Sequence, residues 1–162
     1  MKYKLRKMDF EDLNKVLEWR NHDDIRSYMF NQEKIASTEH VKWFENNCNS
    51  QLQYMYICEA QGVPMGFVQL KRKNIDTSVY EWGFYTSPDA EKGTGTVMLK
   101  LAIKVAFSEL KAHKIYAEVL AFNERSVKLH QHLGFTQEGH LREHHLVDET
   151  YHDVLCFGLL SS

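Results

Sequence analysis

The sequence predicts one α/β domain over residues 1–162, a mixed sheet flanked by helices, and three observations carry that prediction. A chain of 162 residues at 43% hydrophobic and 26% charged composition can bury one core and leaves no room for a second. Its short alternating runs and helical periodicities follow the order β-α-α-β-β-β-α-β-α-β-β, in which hairpins precede crossover helices. Finally, a strand near Val79 to Thr86 feeds a glycine-bearing turn that opens a long helix.

Taken in order, Tyr3 to Lys7 alternates as a short strand, and Asp9 with Asp12 forms a capping pattern for a helix through about Arg20. The polar stretch Asn21 to Ser37 carries Ile25, Met29, Phe30 and Ile35 without clean periodicity and reads as a functional loop or short helix. Ser37-Thr38-Glu39-His40 is predicted to cap a helix bearing Val41 and Phe44. Tyr54 to Cys58 and Gly66 to Leu70 pair as a hairpin through the Gln61 to Pro64 turn, and Lys71 to Asp76 connects to the Val79 to Thr86 strand. From Thr96 the apolar positions Val97, Met98, Leu101, Ala102 and Val105 recur at helical spacing to about Leu110. Ile115 to Leu120 is a strand, Asn123 caps a helix that Gly134 stops, and strands follow at Phe135 to Leu141 and Val154 to Leu160.

Composition excludes several classes. A net charge of -2 lacks the basic surface that releases counterions from a phosphate backbone, so nucleic acid is not an expected partner. No apolar run of about 18 residues occurs, and Met1 to Arg6 has no signal-peptide character, so a cytoplasmic protein without membrane association is expected. The three cysteines, Cys48, Cys58 and Cys156, are widely spaced and read as buried free thiols. Nine histidines invite a metal reading, yet no HExxH or mixed Cys/His spacing accompanies them, and no metal is expected.

The chemistry concentrates in Trp82 to Thr96. Gly93 and Gly95 let the backbone approach a ligand, and the amides of a helix start offer donors and partial positive charge to a pyrophosphate. Two glycines at a helix start are also a common plain turn. The next strand is followed by Asn123-Glu124-Arg125-Ser126-Val127-Lys128-Leu129-His130-Gln131-His132-Leu133-Gly134-Phe135. Together the two segments resemble the acetyl-CoA-binding motifs of the GNAT superfamily, a Q/R-x-x-G-x-G/A loop and an N-x-x-A/S-x-x-L-Y-x-x-x-G-F helix. The resemblance covers nearly the whole chain. It implies a sheet splayed to admit pantetheine, acetyl-CoA as co-substrate, and CoA contacts from Thr86, Lys92, Gly93, Thr94, Gly95, Thr96, Asn123 and Ser126.

Two positions depart from the pattern. Ala90 stands where the family has Gln or Arg, which bears on CoA affinity. His130 stands where many members carry a tyrosine that protonates the leaving thiolate, a role open to an imidazole held protonated, though a helical histidine is as readily structural. Glu81, on the strand before the loop, is the candidate base for the amine, with a solvated edge carboxylate as the alternative.

For the acceptor, Leu17 to His22, Ile25 to Asn31, Ser37 to His40, Tyr80 to Gly83 and Glu138 to Arg142 resemble the N-acetyltransferases of pseudaminic acid biosynthesis. That implies a UDP-linked 4-amino-4,6-dideoxy sugar, with Arg20, Arg26 and His40 meeting the nucleotide and Trp19, Tyr28, Met29 or Trp82 giving apolar contacts. A homodimer is compatible with this reading. Acetylation of a ribosomal or other protein N-terminus is the alternative, and a catalytically inactive acyl-CoA-binding module the second.

Overall fold

The computed structural model describes residues 2–162. In chain order it contains β1 (Tyr3–Lys7), a 3-10 turn (Phe10–Asp12), α1 (Leu13–Asn21), α2 (Asp23–Arg26), α3 (Ser37–Asn47), β2 (Gln53–Ala60), β3 (Val63–Arg72) and β4 (Val79–Thr86). Then come α4 (Thr94–Lys104) with a π-helical turn (Val105–Glu109), β5 (Lys114–Leu120), α5 (Glu124–His132), β6 (Thr136–Val147) and β7 (Thr150–Leu160). The strands make one seven-stranded sheet in the order β1-β2-β3-β4-β5-β7-β6, in which β4 and β5 are parallel and the remaining neighbours antiparallel.

Local chemistry explains the starts and stops. The expected capping box forms, with Asp9 Oδ1 accepting from Glu11 N at 2.9 Å and Asp12 Oδ2 accepting from Asp9 N at 2.9 Å. Arg6 then donates to both Asp12 oxygens at 2.8 Å and to Glu59 at 2.9 Å, fastening β1 and β2 to the turn. The Arg6 guanidinium and the Asp9 amide outweigh burial and hold the Asp12 carboxyl below the usual range. Asn123 caps α5 and Gly134, at φ +92°, ends it. The Ser/Thr cap expected for α3 does not form, because the helix begins at Ser37 and Ala36 is its N-cap without a side-chain bond.

Helices cover both faces of the sheet. α4 and α5 bury Met98, Leu99, Ala102, Val127 and Leu133 against Cys58, Val68, Leu70, Tyr80, Trp82, Ile115, Ala117 and Phe157. On the opposite face α1 and α3 bury Val16, Trp19 and Phe44 against Met55, Ile57 and Phe67. At ~1.5–3 kcal/mol per large apolar side chain, burial on these two faces is the main force holding helices to sheet. The β6–β7 hairpin is longer than its apolar runs suggested, since it continues past Leu141 to a turn at Asp148 and Glu149. Cys58 and Cys156 are buried, and burial pushes the Cys58 thiol up to about 11. Cys48, also expected inside, is exposed at the C-terminal end of α3. Among the described residues no helix is long and apolar enough to cross a membrane.

Candidate active site

The parallel pairing of β4 and β5 is brief. Val79, Tyr80 and Glu81 oppose Lys114, Ile115 and Tyr116, and there it ends. Beyond that point β4 stays with β3 through Trp82↔Leu70 to Thr86↔Gly66, while β5 stays with β7 through Ala117↔Phe157 to Leu120↔Val154. The two strands part, and their facing edges carry main-chain donors and acceptors that an extended ligand can pair with. This is the splay that the sequence resemblance implied.

The mouth of the splay leads to the start of α4. Gly93 is in the left-handed region at φ +96°, which only glycine adopts cheaply, although a Cβ there would meet nothing within 4 Å. Its carbonyl accepts the first helical bond, from Val97 N at 3.2 Å. The amides of Gly95 and Thr96 therefore fall in the first turn, where no intrahelical acceptor exists and the helix dipole favours an anion. A Cβ on Gly95 would face Thr86 Cγ2 at 3.8 Å, so loop and β4 lie side by side without contact strain. These residues fit a pyrophosphate, with Lys92 exposed at the rim. Thr94 is a correction. Its amide closes a turn on Glu91 O at 3.1 Å and its hydroxyl lies 3.3 Å from Tyr3 Oη in the interior, so neither group is left for a ligand.

The α5 motif also needs correcting. Asn123 Oδ1 accepts from Ser126 N at 3.3 Å and so caps the helix start. His130 is 1% exposed. Its Nδ1 is 2.8 Å from Ser126 O and its Nε2 is 3.0 Å from Trp82 Nε1. Indole Nε1–H can only donate, so Nε2 is the acceptor and Nδ1 carries the single proton, donated to the carbonyl. Burial pushes the imidazole pKa down, against a smaller upward effect of the Ser126 carbonyl. A neutral ring whose one proton is already given to a carbonyl is not the thiolate's proton donor. The sequence held the signal, because Val127, His130 and Leu133 share the spacing of the apolar stripe.

On the other face, Glu81, Gly83 and Tyr85 alternate along β4 toward α1 and α3. Glu81 stands where β4 and β5 part. It reaches solvent, yet the surrounding protein raises its carboxyl pKa, and Glu118 on β5 raises it further against Lys71 and Lys73. Tyr85 packs on Phe67 at 5.1 Å, and burial raises its phenol.

Of the expected acceptor contacts, three belong to the interior. Trp19 is 4% exposed within the α1 core, and Trp82 lies among Phe84, His130 and Phe135. His40 is buried, stacked on Trp43 at 5.3 Å, with Nε2 2.9 Å from Leu13 O. Arg26 braces its own segment, donating to Asp23 at 2.8 Å and to Gln32 O at 2.9 Å. Tyr28 is half-exposed, 6.3 Å from Phe122, and Met29 is half-buried beside it in the chain. This segment docks on the β6–β7 hairpin, where His145 Nε2 lies 2.7 Å from Phe30 O and the two rings meet edge-on. No pattern in the sequence linked residues so far apart.

Arg20 differs from the others. The residue is 8% exposed and Nη2 donates to Asn31 O at 2.5 Å, whereas Nη1 is buried without a partner. Burial lowers its pKa, Tyr85 opposes that, and nearby Arg26 lowers it further. Arg20 thus keeps a free donor buried and feels the charges of both Tyr85 and Arg26. A buried N–H of this kind calls for an acceptor atom.

Residues 5–156 match the family described as Acetyltransferase (GNAT) domain. The spermidine N(1)-acetyltransferase of Escherichia coli K12 is 28% identical over 153 residues, 94% of this chain and 82% of that protein. Acetyltransferase PseH of Campylobacter jejuni is 28% identical over 130 residues, 80% of each. The crystal structure of spermidine N-acetyltransferase from Vibrio cholerae with CoA and spermine superposes with a TM-score of 0.91 at 27% identity, covering 98% of this chain and 95% of that one. The splayed sheet, the amide-rich start of α4 and these likenesses together make the chain a member of the GNAT family, an acetyl-CoA-dependent N-acetyltransferase.

Proposed function

We propose that the acceptor is the 4-amino group of a UDP-linked 4-amino-4,6-dideoxy sugar of pseudaminic acid biosynthesis. The observation that carries this is the buried, unpartnered Arg20 Nη1. The protonated amines of a polyamine bring donors and positive charge, so they satisfy that N–H poorly and are repelled by the Arg20 guanidinium, whereas Arg26 is paired with Asp23. A nucleotide sugar brings carbonyl, hydroxyl and phosphate oxygens, which satisfy it. The likeness to PseH supports the same reading, and half-exposed Tyr28 with Met29 gives apolar surface for a 6-deoxy carbon.

Bound acetyl-CoA supplies the activated acetyl group. The chain's part is to hold the amine and take its proton: the N–C bond forms, the C–S bond breaks, and the proton lost by nitrogen ends on sulfur. Glu81, at the fork of the sheet, takes the first proton in this reading, and burial together with Glu118 raises its pKa, which makes it a stronger base than an ordinary surface carboxylate. A sugar amine is less basic than the lysine value of about 10.4, so more of it is neutral before it binds. With His130 enclosed, water reaching the slot delivers the proton to sulfur.

A polyamine is the second reading, favoured by the Glu81 and Glu118 carboxylates at the fork of the sheet. A thiol-release assay with acetyl-CoA against the UDP-4-amino sugar, spermidine and an N-terminal ribosomal peptide tests the proposal. Release with the nucleotide sugar is expected. Turnover of spermidine or the peptide, with none of the sugar, overturns it.

A further inference from the structure

The two halves of the sheet meet at three paired positions and then separate. One side-chain hydrogen bond crosses at the next residue: Trp82 Nε1 on β4 donates to His130 Nε2 on α5 at 3.0 Å. The His130 ring is fixed on all sides. It stacks on Phe157 of β7 at 5.3 Å, meets Phe135 edge-on at 5.0 Å and Phe84 of β4 at 5.8 Å, and gives its Nδ1 proton to Ser126 O at 2.8 Å. Ser126 Oγ is 3.5 Å from Nδ1. None of the groups facing the ring from α5, β4, β7 or the α5–β6 junction is ionisable.

We infer that His130 is a positioning residue, a neutral hydrogen-bond acceptor that ties β4 to α5 where the strands part and so sets the width of the slot for the pantetheine arm. This rests on membership of the GNAT family and not on which amine is the acceptor. Its consequence is a pH response opposite to that of a proton donor. When Nε2 takes a proton it becomes a donor facing the indole N–H, and two donors cannot bond. The tie is therefore present above the His130 pKa and lost as pH falls through it, a midpoint lying below the ordinary 6.5 because burial lowers it. A proton donor would instead lose activity as pH rises.

The test follows the indole N–H resonances of the wild-type protein by NMR from pH 8 to 5, with Trp82→Phe used only for assignment. CoA affinity is measured over the same range in the wild type and in His130→Gln, whose side-chain oxygen can accept from Trp82 and does not titrate. Comparing the two cancels ionisation of the CoA phosphates. Loss of one hydrogen bond corresponds to about 2- to 12-fold. We expect the Trp82 resonance to shift with a midpoint below 6.5, and wild-type CoA affinity to fall by that factor relative to His130→Gln across the same midpoint. His130→Gln should keep kcat at pH 8 within about threefold with the amine found by thiol release, against the ~100-fold or greater loss for a removed acid catalyst. A Trp82 indole N–H without the downfield shift of a hydrogen-bonded donor at pH 8 overturns the inference, as does His130→Gln sharing a wild-type loss of CoA affinity in acid or losing kcat ~100-fold while folded. If His130→Gln does not fold, the wild-type resonance alone still decides.

Discussion

Replacing Arg20 by methionine separates what the residue does for the fold from what it does for the acceptor. In the free protein the guanidinium makes one bond, to Asn31 O at 2.5 Å, and keeps Nη1 buried without a partner. Methionine fills similar space, removes a buried charge and its orphan donor, and gives up the Asn31 bond. Apolar replacements of buried charged groups are often neutral or stabilising by ~1–4 kcal/mol, whereas an unpaired buried carbonyl costs about 1–3 kcal/mol, so the two effects oppose and stability should change little. Acceptor binding has no such offset. A hydrogen bond to a charged donor contributes about 1.5–3 kcal/mol, so kcat/KM for the acceptor should fall about 10- to 150-fold. Steady-state kinetics with each substrate varied, alongside a urea melt, reads both. The KM for acetyl-CoA should stay within about twofold, because the proposed contact is with the acceptor. Arg20→Lys, which keeps charge without the second arm of the fork, should lie between. An unchanged acceptor kcat/KM in folded Arg20→Met refutes the reasoning.

Three further outcomes follow from the geometry. Gly95→Val should fold, since its Cβ meets only Thr86 Cγ2 at 3.8 Å, yet bind CoA at least about tenfold more weakly in calorimetry because the side chain obstructs the first-turn amides. Gly66→Ala should lower stability by about 1–3 kcal/mol in denaturant melts, since its Cβ would stand 2.6 Å from Sδ of fully buried Met98 and 3.3 Å from the Tyr85 carbonyl. His40 and His130 are both buried with lowered pKa, so the unfolded chain binds their protons first as pH drops. Stability should hold above pH 6.5 and decline below it by up to about 1.4 kcal/mol per pH unit for each, until the folded forms titrate. His40→Gln should remove its share of that slope.

What was legible in the sequence was local. The Asp9 to Asp12 box, the Gln61-Gly62 turn, the Gly93 helix start and the Asn123 to Gly134 helix are set by residues within one or two turns of each other, where capping and φ preferences act. The roles of aromatic and basic side chains were less legible, because they depend on partners distant in the chain. Trp19 read as a ligand wall and proved to be core, although Val16 and Trp19 already stood at helical spacing. Arg20 and Arg26 read alike, yet one is tied to Asp23 and Gln32 and the other holds a free donor, a difference decided by tertiary packing. The long β6–β7 hairpin was missed because its outer half, Arg142 to His152, is mostly polar and its few apolar residues, Leu146, Val147 and Tyr151, do not alternate along a strand.

The three-position seam between β4 and β5 has a consequence for how the molecule comes apart. β1 to β4 form a run of antiparallel neighbours, and β5, β7 and β6 form another, each joined by its own register of backbone bonds. The backbone bonds between the two sets are few, so in native-state hydrogen exchange the sheet should open along this line first, although one buried cluster packs across it. The seam amides of Val79 to Glu81 then open at lower free energy than those of β2 or β7, and CoA bridging the slot protects them, making ligand occupancy readable as exchange slowed at strands that meet for only three residues.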